Sequence, residues 1–361
     1  MATATQLRPG ISETAPVKNF SILVATTGNA IWHSADSGKS FAWPRGVNNV
    51  DCVARGFGVD PFDPRHVLAC MALAAPPYSP LIGAHHGLYE SFDGGAKWSP
   101  VAGFPQIECW RATFDPTRRG RYFVGTRPAA IYRTDDGGKS FRQLAVDLPQ
   151  TCEGIGLPRV TTLLLHPKDP KLVFASIEIG GFRRSADGGE SWEAIMHKLD
   201  LPVPENYLYG AGGRIDAHFI RLSGADLLLA GTPDGMYASR DLGDTWNEFP
   251  VKRTFPHQFF HDAVVKADDP DTIFVGVGES VNGQEGAIHR TRDRGATWDT
   301  VELPVECNSP IWCFAQHASD PEVLLACTHK GQLFGSEDGG QTWIKYRREF
   351  TDVRGIAWLP N

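Results

Sequence analysis

Seven short apolar runs punctuate the chain, each shorter than an ordinary helix and bounded by turn residues. They read SILVATT (21–27), HVLACMAL (66–73), RYFVGT (121–126), KLVFASI (171–177), DLLLAGT (226–232), DTIFVGV (271–277) and EVLLACT (322–328). Continuous runs of this length, rich in Val, Ile, Leu and Phe, predict strands buried on both faces. An apolar–polar stretch precedes six of them, often ending in a turn such as Asp60-Pro61, Asp115-Pro116 or His166-Pro167. It predicts a further strand, pairing with the run that follows. The first run has no such stretch before it. The missing pattern appears at the other end of the chain as DVRGIAWLP (352–360), which predicts that the two ends share one sheet.

After each run comes an octapeptide of the form Ser/Thr-x-Asp-x-Gly-x-x-Trp/Phe. The copies are SADSGKSF (34–41), SFDGGAKW (91–98), TDDGGKSF (134–141), SADGGESW (185–192), SRDLGDTW (239–246), TRDRGATW (291–298) and SEDGGQTW (336–343). Their aspartates, Asp36, Asp93, Asp136, Asp187, Asp241, Asp293 and Asp338, stand 43 to 57 residues apart, about the length of a four-stranded blade. An aspartate accepts backbone N–H groups in a tight turn, glycine supplies a positive φ, and the closing aromatic buries its ring. The motif resembles the Asp-box (BNR) repeat of sialidases, xyloglucan-cleaving glycosidases, sortilin-type receptors and photosystem assembly factors. That resemblance implies an all-β fold: a single seven-bladed β-propeller of four-stranded blades over residues 19–361, closed by the C-terminal strand in blade 1. Residues 1–18 read as a flexible leader. In those families the box is structural, so its aspartates are not expected to be catalytic. The Arg-Ile-Pro tripeptide of sialidases is absent here, and the resemblance implies a fold rather than one activity.

Composition agrees with many short strands: 38 Gly, 26 Pro and 10 Trp in 361 residues. A formal charge of −7 and no basic clustering argue against a nucleic-acid partner. There is no run of about 18 apolar residues, so no membrane helix is expected. The first twenty residues carry no apolar signal core, and a cytoplasmic location is the expectation. The seven cysteines, at 52, 70, 109, 152, 307, 313 and 327, show no CxxC spacing and read as reduced core thiols.

Candidate chemistry comes from aligning the inner strands on their terminal turns. One position near each strand start then holds Arg354, Arg55, Trp110, Thr161, Asp216, His261 and Trp312. The residue before it is small or apolar throughout, as expected when one set faces the core and the other the channel. Arg55 and Arg354 would bind an anion. Asp216 beside His261 would handle protons, and Trp110 and Trp312 would stack on a sugar or other planar face. Loops predicted at the same mouth add His85, His86, Arg127, Glu178, Glu279, Glu285, His329 and Lys330. Tyr207, Tyr209 and Arg214 lie in a long connection, and AAPPYSPLIGAHHG in a lid-like insertion.

The resulting expectation is a hydrolase or lyase, glycosidase-like by fold resemblance, acting on a small anionic or saccharide-like ligand. Its alternative is a non-catalytic module that docks a protein partner. No Walker loop or strand-linked GxGxxG is present, so no cofactor is expected. A divalent metal held by His85, His86, His218, His257 or His261 with Asp216 is a weaker alternative.

Overall fold

The computed structural model describes residues 18–47, 52–73, 86–151, 156–196, 215–233 and 235–361. The chain is an all-β propeller. Five separate four-stranded antiparallel sheets run through the chain, typified by Val160–Leu165, Val173–Ile177, Gly181–Ser185 and Glu193–Ala194. The first strand of each sheet lies innermost. The strands Val353–Pro360, Cys52–Asp60, Glu108–Phe114, Val160–Leu165, Phe219–Ser223, Phe259–Lys266 and Ile311–Gln316 touch in that order and return to the first, enclosing a channel.

The remaining strands form one seven-stranded sheet rather than two separate ones. Phe20–Gly28 pairs with Val353–Pro360 on one side, from Phe20↔Pro360 to Thr26↔Val353, and with Ala30–Ser34 on the other. Its last residues run on past a register shift at Ala25/Thr26 to pair Thr27 with Val53 and Gly28 with Cys52. That extension welds the sheet to its neighbour. The outermost strand beside Ala30–Ser34 shrinks to one bridge between His33 and Ala42. Pro44 follows two residues later and has no N–H to continue a ladder.

Each octapeptide folds into the same turn. In the fourth, the Ser185 hydroxyl donates to Asp187 Oδ1 at 2.8 Å and accepts the Gly189 N–H at 2.8 Å. Asp187 also takes the Ser191 N–H at 2.9 Å and its hydroxyl at 2.6 Å, and Trp192 Nε1 donates to the Gly189 carbonyl at 3.1 Å. The corresponding Ser/Thr-to-Asp bond measures 2.7 or 2.8 Å in all seven turns. The second glycine has φ of +95° at Gly189 and +83° at Gly340, which favours glycine outright. A Cβ on Gly189 would stand 3.0 Å from Leu144, and one on Gly340 2.3 Å from Phe274, both residues of the preceding sheet. The turn is therefore a wedge between sheets. Apolar clusters fill the same interfaces, such as Phe274, Ile311, Phe314 and Leu324 between the last two sheets. Ile22, Leu325, Val353 and Trp358 lie where the chain ends meet.

Arg111 ties three inner strands together. Its guanidinium donates to the carbonyls of Arg55 at 2.5 Å and Thr161 at 2.8 Å, in the strands on either side of its own. The glycine at position 56 makes the room: a Cβ there would lie 2.5 Å from Arg111 Nη1.

Two predictions follow from these contacts. Asp187 is held at about 2 by the Ser191 hydroxyl and amide and by Ser185, and Asp293 at about 2 by its Thr297 and Thr291 partners. Folded values below the ordinary 3.8 mean stability that is complete above pH 4 and lost as pH falls toward 2. Asp187→Ala should cost about 1 kcal/mol at pH 7, read as a lower urea midpoint, and the deficit should shrink at pH 2 to 3. A constant deficit from pH 7 to pH 2 would refute this. Gly56→Ala should cost about 1–3 kcal/mol by displacing Arg111. The same change in an Arg111→Leu background should cost less, and additive losses would refute the steric account.

Candidate functional site

The aligned ring position is a structural feature: in six inner strands the ladder slips by one residue there. The shifts fall between Ala54 and Gly56, Cys109 and Arg111, Val160 and Thr162, Phe260 and Asp262, and Ile311 and Cys313, and opposite Arg354. A bulged residue leaves the ladder and turns its side chain off the sheet. Arg354, Arg55, Trp110, Thr161, His261 and Trp312 all occupy such bulges, while the residue before each, such as Val160 or Phe260, is fully buried.

The fifth sheet differs from the expectation. Phe219 pairs with Gly231 as Asp262 pairs with Gly276 in the next sheet, and His218 N–H donates to the Gly231 carbonyl at 2.9 Å. His218, not Asp216, therefore holds the ring position. This inner strand ends five residues after His218, the spacing of the other strands, but in a Ser223–Gly224 turn with no Asp-Pro or His-Pro pair to mark it, and the expected alignment slips by two residues. Asp216 stands just outside the strand, its Oδ2 3.6 Å from His218 Nε2. The expected pairing of Asp216 with His261 is not what forms. His261 Nδ1–H donates to the Trp312 carbonyl at 2.6 Å. Burial, then the neighbouring His218, holds its imidazole well below the ordinary value, so it is neutral at pH 7.

His218 is the better proton-handling group. Its Nδ1–H donates to the Phe260 carbonyl at 2.6 Å, and a carbonyl can only accept. The Nε2 is left facing the Asp216 carboxylate. A second carboxyl lies close by. Glu178 is buried and ion-paired with Arg159. Burial raises its proton affinity against the pull of Arg159, and the charge of Asp216 raises it further. Glu178 Oε2 and Asp216 Oδ1 are both buried and without a hydrogen-bond partner.

Neither tryptophan offers a free face. Trp110 has the Arg55 guanidinium 4.0 Å and the Arg159 guanidinium 4.4 Å over its ring. Trp312 has His261 at 3.4 Å and His329 at 4.0 Å, both near-parallel. Two groups this close cannot share a face, and each indole is only 7% exposed. Stacking of either tryptophan on a ligand is therefore corrected to stacking within the protein.

Arg354 Nε donates to the Thr27 hydroxyl at 3.0 Å, and its Nη2 lies 3.4 Å from Asp352. Arg127 lies 3.5 Å from Glu108, and His329 4.0 Å from Asp352. His86 Nε2 donates to the Gln106 carbonyl at 3.2 Å, away from the ring. Glu279 accepts the Gln284 N–H and Lys330 donates to the Gly283 carbonyl, so both are tied into local loops. His85, Tyr207, Tyr209 and Arg214 lie outside the described residues, as does most of the proposed lid. Among the described residues no three His, Cys, Asp or Glu side chains converge as metal ligands. In HQFFH the two histidines diverge, His257 toward Glu285 at 3.3 Å and His261 toward Trp312. Arg111 and Arg159 escaped the sequence reading. The signal for Arg111 was Gly355 and Gly56 at the equivalent place in neighbouring strands, an opening for one long side chain.

A family model described as "Sortilin, neurotensin receptor 3" matches residues 86–201 and 234–359, more than half of the chain. A xyloglucanase of Paenibacillus sp is 23% identical over 327 residues, covering 76% of this chain but 31% of its own length. The chain thus spans less than a third of that curated relative. Among solved structures, the GH74 xyloglucanase of Xanthomonas campestris is similar with a TM-score of 0.67 at 12% identity, over 96% of this chain and 56% of that one. A structure of Ycf48 bound to a D1 peptide is similar with a TM-score of 0.55 at 18% identity, over 93% of this chain and 87% of that one. Likeness at these identities establishes the fold, and the matched segments run from the third strand of the second sheet to the closing strand. The chain belongs to the Sortilin-Vps10 family.

Proposed function

We propose that the chain is a seven-bladed Asp-box propeller whose channel mouth binds a saccharide-like ligand and hydrolyses it by acid–base chemistry. The seven-membered ring of inner strands supports the blade count, with the welded seven-stranded sheet read as blades 1 and 2. The pairing of Phe20–Gly28 with Val353–Pro360 supports closure in blade 1. The observation that carries the chemistry is the pair of carboxyl groups at one mouth, Glu178 and Asp216, each with a buried oxygen lacking a partner. Glycoside hydrolysis needs two such groups in unlike environments. Glu178, with raised proton affinity, would protonate the departing glycosidic oxygen. Asp216, coupled to His218, would take a proton from the attacking water. Similarity to xyloglucanases supports a saccharide as the ligand class. A reducing compartment fits Cys52, Cys70, Cys109, Cys307, Cys313 and Cys327, which are buried and form no disulfide.

A second reading has its own support. Both ring tryptophans are sealed by protein side chains and leave no indole platform for a pyranose. Together with likeness to peptide-bound Ycf48, this favours a non-catalytic module with a protein partner.

The deciding experiment is turnover of a panel of neutral and acidic oligosaccharides, xyloglucan fragments included. Asp216→Asn should lower kcat at least 100-fold with the melting temperature unchanged, and Glu178→Gln should lower kcat as much while also melting lower, because it unpairs Arg159. Activity of the wild type should fall on an alkaline limb as Glu178 deprotonates, at a pH above the ordinary value for glutamate. Full activity in both variants, or no turnover of any saccharide, would overturn the hydrolase reading in favour of the binding module.

A further inference from the structure

Among the described residues, most charged side chains at this mouth are held by a counter-charge or by backbone groups. Arg127 has Glu108, Arg159 has Glu178, Arg354 has Asp352 and His218 has Asp216. Arg111, deeper in the ring, is satisfied by backbone carbonyls. Arg55 has no carboxylate and no hydrogen-bond acceptor among the described residues; its Nε is buried without a partner. The ring of Trp110, 4.0 Å away, is its one favourable contact. Arg55 is half-buried: its Nε is sealed from water, while its two Nη groups keep some access to solvent and have no acceptor among the described residues. Burial first, then the neighbouring Arg354 and Arg159, lower the proton affinity of Arg55, and the Glu108 carboxylate, itself paired with Arg127, pulls it back up. Its planar stack on Trp110 fixes its orientation, so the edge that carries its donors is held in place before any ligand arrives.

We propose that Arg55 is the anchor for a carboxylate on the ligand, which makes the substrate class an acidic saccharide, a uronic acid or a glycoside of one. This inference rests on the saccharide reading above and deepens it. A carboxylate accepts two parallel N–H bonds from one guanidinium and brings one negative charge, which matches the single charge of Arg55. A phosphate brings about 1.5 to 2 negative charges at neutral pH, more than the single charge of Arg55. Arg354, on the adjacent inner strand, supplies the surrounding positive field while remaining tied to Thr27 and Asp352. The neutralised site would place the saccharide beside Arg159 and, beyond it, Glu178 and Asp216.

The test uses the full chain titrated with glucuronate, galacturonate, glucose, galactose and inorganic phosphate, followed by calorimetry and by tryptophan fluorescence, since Trp110 lies under Arg55. A uronate should bind at least tenfold more tightly than the neutral hexose of the same configuration, and the preference should weaken with added salt. Arg55→Gln should abolish that preference. Without ligand, Arg55→Gln should melt at the same temperature as the wild type or higher, because an uncompensated cation has gone; a merely structural arginine would lower it. Equal binding of uronate and hexose, loss of folding in Arg55→Gln, or tight phosphate binding with none of uronate would each overturn the proposal. The two readings fail separately. Cleavage of neutral glycosides without uronate preference sinks the anchor and keeps the hydrolase, whereas Arg55-dependent uronate binding without cleavage keeps the anchor and sinks the hydrolase.

Discussion

One hydrogen bond, repeated, organises this molecule. In each of the seven turns a serine or threonine hydroxyl donates to the aspartate two residues on and accepts the N–H of a glycine two residues beyond that. The bond itself is worth on the order of 1 kcal/mol. Its larger effect is geometric. It holds a glycine backbone against the preceding sheet at a distance no side chain could reach, as Gly340 does against Phe274. The spacing between sheets on the outside of the propeller thereby fixes how the inner strands converge. Convergence in turn brings the bulged side chains of six sequence-distant strands, and His218 of the seventh, to one mouth.

The parts of this arrangement differed in how openly they are written in the chain. The turns are local, since donor, acceptor and glycine lie within five residues, and an octapeptide pattern captures them. The second strands are nearly as local, being buried on both faces and therefore uninterrupted in hydrophobicity. The ring position was readable in six strands because they end five residues later in turns of matching length. It failed in the fifth, where a Ser223–Gly224 turn with no Asp-Pro or His-Pro pair leaves the strand end unmarked and His218 takes the place assigned to Asp216. A carboxylate–imidazole pair does form, but within one blade. The roles of Trp110 and Trp312 failed for a different reason. A tryptophan facing a channel offers a platform only if nothing else covers it, and Arg159 and His329 approach from elements far away in sequence. No periodicity encodes such a contact.

Bulges explain why the mouth varies so much from blade to blade while the rest of the repeat does not. A residue inside the ladder must present the correct face to its neighbours, so its character is constrained by both adjoining sheets. A bulged residue is released from that constraint. Arginine, tryptophan, threonine and histidine all occur at this one position, between a buried residue and the resumed ladder. The same release explains how a fold shared with xyloglucanases and with Ycf48 need not share their sites.

The released side chains still have to satisfy one another, and they do so by stacking cations and imidazoles on indoles. Trp312 lies between His261 and His329, which burial keeps uncharged, His329 at about 4. Trp110 lies between Arg55 and Arg159, which carry charge. The two sides of the ring therefore differ in kind: a neutral aromatic stack in the strand beside Val353–Pro360, and a cationic one reaching from Cys52–Asp60 to the segment before Val160–Leu165. Cation–π contact offsets only part of the cost of burying a guanidinium, about 2 kcal/mol at best. Arg159 recovers the remainder from Glu178. Arg55 has no carboxylate in direct contact among the described residues, and its unoccupied donors give the mouth a direction in which a ligand would be oriented.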